Sequence, residues 1–106
     1  MELKDLTEKL KRFNDERNWD DGLTPEDVAK SIVIEGAELL EHFQWDSSRK
    51  SRGTMKEKDL EAVGEEIADV FIYTIRISYL MGYDLEKIVL AKIEKNAKKY
   101  PPKDYW

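Results

Sequence analysis

The stretch Ile34-Glu35-Gly36-Ala37-Glu38-Leu39-Leu40-Glu41-His42-Phe43-Gln44-Trp45 sets two acids, Glu35 and Glu38, three residues apart inside largely apolar sequence. A second stretch, Gly64-Glu65-Glu66-Ile67-Ala68-Asp69-Val70, answers it with Glu66 and Asp69. At about 100° per residue, an i,i+3 pair lies about 60° apart around a helix and one turn along it, so the members of each pair point the same way. If the two helices face each other, four carboxylates converge on one small volume. They would repel one another unless divalent cations balanced them. The pattern is helical throughout, and the predicted fold class is all-α, a four-helix-bundle-like arrangement.

Thr24-Pro25-Glu26-Asp27 opens the helix that carries the first pair. Thr24 can cap, Pro25 suits the first helical position, and the two acids favour the positive end of the helix dipole. On a wheel running to about Gln44, Val28, Ala29, Ile32, Val33, Gly36, Leu39, Leu40 and Phe43 fill one half. Glu35 borders that half, and Glu38, Ser31 and His42 follow round from it. Ile34 falls among polar neighbours on the far side and hints at a contact between subunits.

Upstream, Leu3, Leu6, Leu10 and Phe13 repeat at helical spacing, predicting a surface helix over 2–18 with one apolar stripe. Asp20-Asp21-Gly22 breaks it and leaves Trp19 at its end, where a tryptophan usually covers the core. Downstream, residues 46–53 are polar and basic and read as a loop. Thr54-Met55-Lys56-Glu57 has capping-box spacing and predicts the start of a third helix ending at Gly82. Within it Glu66, Asp69 and Tyr73 make one stripe, with Arg76 on the same side. The segment from Val70 to Ile75 is apolar almost all round, as in a helix central to a bundle or covered by a second subunit. Asp84 caps a fourth helix, from Leu85 to about Lys99, predicted to bury Leu90, Ile93, Ala97 and Tyr100. Lys92, Asn96 and Lys99 form its polar stripe.

Composition narrows the function. A chain of 106 residues is the size of one domain, 1–106, with a single core. Its formal net charge of −5 disfavours polymeric nucleic acid, which attracts a basic face. Cysteine is absent and there is one histidine, which disfavours disulfides, thiolate metal sites and zinc or di-iron centres. An all-oxygen ligand set selects hard cations such as Mg²⁺, with Mn²⁺ a substitute. The apolar core of a signal peptide and a membrane-length apolar run are both missing, so a cytoplasmic protein is expected, with no membrane partner. Four carboxylates balance about two divalent ions, which leaves coordination positions for phosphate oxygens and a water. Trp19, Trp45 and Tyr73 flank the acids in this reading, and aromatics beside a phosphate site suggest base stacking.

Glu35-x-x-Glu38 followed by Glu66-x-x-Asp69 resembles the signature of the MazG-type all-α nucleoside triphosphate pyrophosphohydrolases. The resemblance takes in Glu16-Arg17-Asn18-Trp19, Phe43-Gln44-Trp45 and Lys92-x-x-x-Asn96-x-x-x-Tyr100-Pro101 as well. It looks closest to the short dCTP pyrophosphatase branch. The resemblance implies Mg²⁺-dependent cleavage of (d)NTP to (d)NMP and pyrophosphate, by water attacking the α-phosphorus. It implies dCTP or a modified pyrimidine dNTP as substrate. Glu35, Glu38, Glu66 and Asp69 would hold metal, and Glu35 and Glu38 both stand as the general base. Trp19, Trp45 and Tyr73 would line the base and sugar pocket. Lys92 and Asn96 would reach the phosphates, from the same or a neighbouring subunit of a homodimer or homotetramer. One departure is Leu10, where dCTP-preferring relatives carry histidine. The alternatives are a related dUTP or phosphoribosyl-ATP pyrophosphohydrolase, or a non-catalytic helical protein-interaction module.

Overall fold

The computed structural model describes residues 1–44 and 52–102. Four helices follow one another: α1 Leu3–Glu16, α2 Pro25–Gln44, α3 Glu57–Leu80 and α4 Leu85–Lys99, with a short 3-10 turn Arg52–Thr54 before α3. Among the described residues there is no strand, and the all-α expectation holds.

The helix ends follow from local chemistry. At α2 the Asp27 N–H donates to Thr24 Oγ1 (3.2 Å) and the Thr24 N–H donates to Asp27 Oδ2 (3.2 Å), a reciprocal box that satisfies two otherwise orphaned donors. At α4 the Lys87 N–H donates to Asp84 Oδ1, as the cap expectation requires. Two helices end alike. At α3, Gly82 turns left-handed (φ +77°), the Gly82 N–H donates to the Tyr79 carbonyl and the Tyr83 N–H to that of Ser78. At α1, Asn18 takes the same role (φ 56°), with Asn18 N–H on Asp15 and Trp19 N–H on Asn14. Both are Schellman closures, one with glycine and one with asparagine at the left-handed position.

The start of α3 corrects the capping-box reading. The N-cap is Lys56, and the helix begins at Glu57, two residues later than a Thr54 cap would place it. Residues 52–54 are engaged in the 3-10 turn instead.

The main body is α2 packed along α3, with α1 laid against α3. Val28 of α2 and Ile75 of α3 are almost completely buried, each contributing roughly 1.5–3 kcal/mol of burial free energy. Leu85, at the entry to α4, closes the described core. Beyond Leu85, α4 leaves it. Leu90 and Ile93 are each 58% exposed, and Ala97 and Tyr100 are also exposed, so the predicted buried stripe of α4 is not buried in this chain. The reason is placement: α4 meets α3 near their shared turn and then stands away from α1 and α2. Other apolar side chains are left open too, among them Val33, Ile34 and Leu40 on α2 and Ile67 and Phe71 on α3. The radius of gyration is 17.0 Å, whereas a closed domain of this length measures about 13 Å.

Candidate active site

The expected convergence of α2 and α3 occurs. Glu35 and Glu38 from α2 and Glu66 from α3 each offer a carboxylate oxygen, and these atoms lie within 4.8 Å of one another. Asp69, one turn beyond Glu66, is outside that closest group, yet its charge acts on both Glu35 and Glu66. Glu35 Oε2 and Glu66 Oε2 are buried with no hydrogen-bond partner among the described residues. A buried orphan carboxylate oxygen is costly and calls for a compensating charge.

The electrostatics record that cost. The Glu35 carboxyl is pushed up to about 7, first by removal from water, then by its hydrogen bond to Glu38 and the charges of Glu38, Asp69 and Glu66. Glu66 is raised above its ordinary value by desolvation and then by the charges of Glu38 and Asp69. His42 Nε2 stands 4.0 Å from Glu66 Oε1 and opposes that shift. The donor set, all carboxylate with two unsatisfied buried oxygens, fits a hard divalent cation.

Between α1 and α3, reached by Asp69 of the four acids, opens a cavity of about 570 Å³. Leu6, Leu10, Phe13, Phe71 and Ile72 give it apolar walls, while Asp69, Tyr73 and Trp19 border it as well. Trp19 is 53% exposed, so it is a wall of an open cavity and not a cover of the core. Its ring meets Phe13 edge to face at 5.6 Å. Trp19 and Tyr73 are thus brought together with Asp69. Lys92 and Asn96 are not: both lie exposed on α4, and neither lines the cavity. Trp45 lies outside the described residues.

A polar chain that reaches the cavity wall through Asn14 and Arg76 escaped the sequence reading. Arg76 Nε donates to Asp20 Oδ1 (2.7 Å), and Arg76 Nη2 donates to the Trp19 carbonyl (2.7 Å). The Tyr79 hydroxyl donates to the other oxygen of Asp20, and Asn14 Nδ2 donates to the Tyr79 oxygen (2.8 Å). Burial, and then the hydrogen bond to Asp20, push the Tyr79 phenol up to about 12, so it remains a donor at any working pH. The signal available in sequence was Arg76 itself, a cation in the apolar half of α3 that must find an acceptor.

The MazG-like family model matches residues 30–105 of this chain. dCTP pyrophosphatase 1 of Rattus norvegicus is 31% identical over 100 residues, covering 93% of this chain and 59% of that protein. The Homo sapiens protein of the same name is 32% identical over 101 residues with the same coverage. The chain thus spans 59% of the length of these curated relatives. A solved structure of a pyrophosphatase from Archaeoglobus fulgidus matches with a TM-score of 0.76 at 40% identity, covering 94% of this chain and 93% of that one.

Proposed function

Since the chain belongs to the MazG-like family, we propose that it is a nucleoside triphosphate pyrophosphohydrolase. It would cleave the α–β anhydride of a (d)NTP, with dCTP or a modified pyrimidine dNTP first in line, to give (d)NMP and pyrophosphate. The observation that carries the reading is the carboxylate group with its two orphaned oxygens, together with Asp69, one turn beyond Glu66, which lines an open cavity walled by Trp19 and Tyr73. One side suits cations and phosphate; the other suits a flat base.

Glu35, Glu38, Glu66 and Asp69 would hold Mg²⁺, or Mn²⁺ in its place. Bound there, the ion would supply polarisation of phosphoryl oxygens and a more acidic water. The chain's own work is positioning and proton transfer. Glu35, whose carboxyl is pushed up to about 7 without metal, or its neighbour Glu38 would take the proton from the attacking water. Trp19 and Tyr73 would orient the nucleoside so that the α-phosphorus faces the acids, with Trp45 expected to join them. Lys92 and Asn96 would meet the phosphates from a neighbouring copy, because α4 stands away from its own acids. The apolar surface left on α2, α3 and α4 supports such a homo-oligomer. Residues 1–106 would act as one nucleotide-handling domain.

The test is incubation with each dNTP and NTP plus Mg²⁺, with the products identified. A monophosphate and pyrophosphate are expected; release of orthophosphate would overturn the assignment of attack at the α-phosphorus. dUTP and phosphoribosyl-ATP belong in the same panel. Glu35→Gln and Asp69→Asn should each lower kcat/KM by at least the ~10–100-fold that even outer-shell changes cost at metal sites. Circular dichroism should show both variants folded.

A further inference from the structure

Trp19 lacks the core packing that would hold it still. It is half exposed, its described ring contact is the single edge-to-face meeting with Phe13, and it sits in the connection between α1 and α2. A wall residue so placed needs its backbone fixed. On one side the Schellman closure does this, through the Trp19 N–H on the Asn14 carbonyl (3.0 Å). On the other side the Trp19 carbonyl and the next side chain, Asp20, are both taken by one guanidinium. Arg76 is only 9% exposed, and Asp20 is shielded beside it.

We propose that Arg76 is a positioning residue, which fixes Trp19 as the wall of the cavity by gripping the Trp19 carbonyl and the Asp20 carboxylate together. Tyr79 and Asn14 brace the far oxygen of Asp20, so the hold runs from the end of α1 through the connection to the last turns of α3. The alternative role for a cavity arginine is a phosphate ligand. Geometry disfavours it, because the guanidinium is already bonded through Nε and Nη2 to two protein acceptors and its charge is balanced by Asp20. A planar fork can serve two acceptors at once; a lysine ammonium at the end of a flexible stem cannot reproduce that grip.

The proposal rests on the cavity being the nucleoside pocket, and the experiment separates the two claims. In a chain with Trp45→Phe and Trp106→Phe, Trp19 is the only indole. Arg76→Lys should shift its emission and raise its quenching by acrylamide, while the far-ultraviolet circular dichroism is unchanged. In the chain with native tryptophans, Arg76→Lys should raise KM for the nucleotide about tenfold, the scale of a lost base stack, with kcat changed far less. In a Trp19→Ala background the same substitution should add nothing to KM. Tyr79→Phe, which leaves the Arg76 pair intact, should move both readouts the same way but less. It carries the test if Arg76→Lys does not fold. Unchanged Trp19 emission and quenching, or an equal KM effect with and without the indole, would overturn the positioning role. A wild-type chain inactive on every nucleotide would overturn the pocket reading, while the fluorescence would still judge the hold on Trp19.

Discussion

Among the described residues, Glu35 carries a strong pH signature. Its folded pKa of about 7 lies above the ordinary 4.5, so between those values the folded chain keeps a proton that the unfolded chain has released. Its contribution to stability is therefore full below about 4.5 and is lost as pH rises through about 7. Metal-free protein should melt at a lower temperature at pH 8 than at pH 5, and Glu35→Gln should flatten that slope. Mg²⁺ competes with the same proton, so its stabilisation should be larger at pH 8, growing by about 1.4 kcal/mol per tenfold excess over Kd. Thermal melts across pH, with and without Mg²⁺, check both. An unmoved melting curve in millimolar Mg²⁺ at pH 8 would count against a cation site. The acid spacing was legible in sequence because i,i+3 geometry is local. The partner of Arg76 was not, because Asp20 lies 56 residues away in the chain and no local pattern marks such a pair.

At the scale of elements, the caps were read well and the coverage of apolar faces less well. Thr24, Asp84 and Gly82 act where their chemistry puts them. Gly82→Ala would force a Cβ into the left-handed region and should cost about 1 kcal/mol. For a domain of this size that is a fall in Tm of about 4–8 °C, measurable by calorimetry. Thr54 misled because a capping-box spacing says only that a box can form, and the 3-10 turn at 52–54 moved the start of α3 onward. Periodicity identified the apolar stripe of α4 correctly as a stripe. It cannot say what lies opposite, and in this structure Leu90 and Ile93 remain more than half exposed.

For the whole molecule, the open stance of α4 matters most. Leu90→Glu with Ile93→Glu should turn an assembled protein into single chains, read by sedimentation or light scattering. The same pair of changes should lower turnover if Lys92 and Asn96 act across copies. An unchanged mass would locate the contact elsewhere, Ile34 being the next surface to alter. No helix among the described residues is long and apolar enough to cross a membrane, so a bilayer-spanning role for these apolar side chains is not supported.

The stance of α4 has a thermodynamic consequence for a chain that stays this open on its own. Folding of one chain leaves Leu90, Ile93 and Val33 exposed, and in the homo-oligomer proposed above association would take them out of water by mass action. Dilution should then act as a denaturant: a hundredfold drop in protein concentration should lower the melting temperature, as it never does for a self-sufficient monomer. How much of the folded protein a cell holds would be set by how much of it the cell makes.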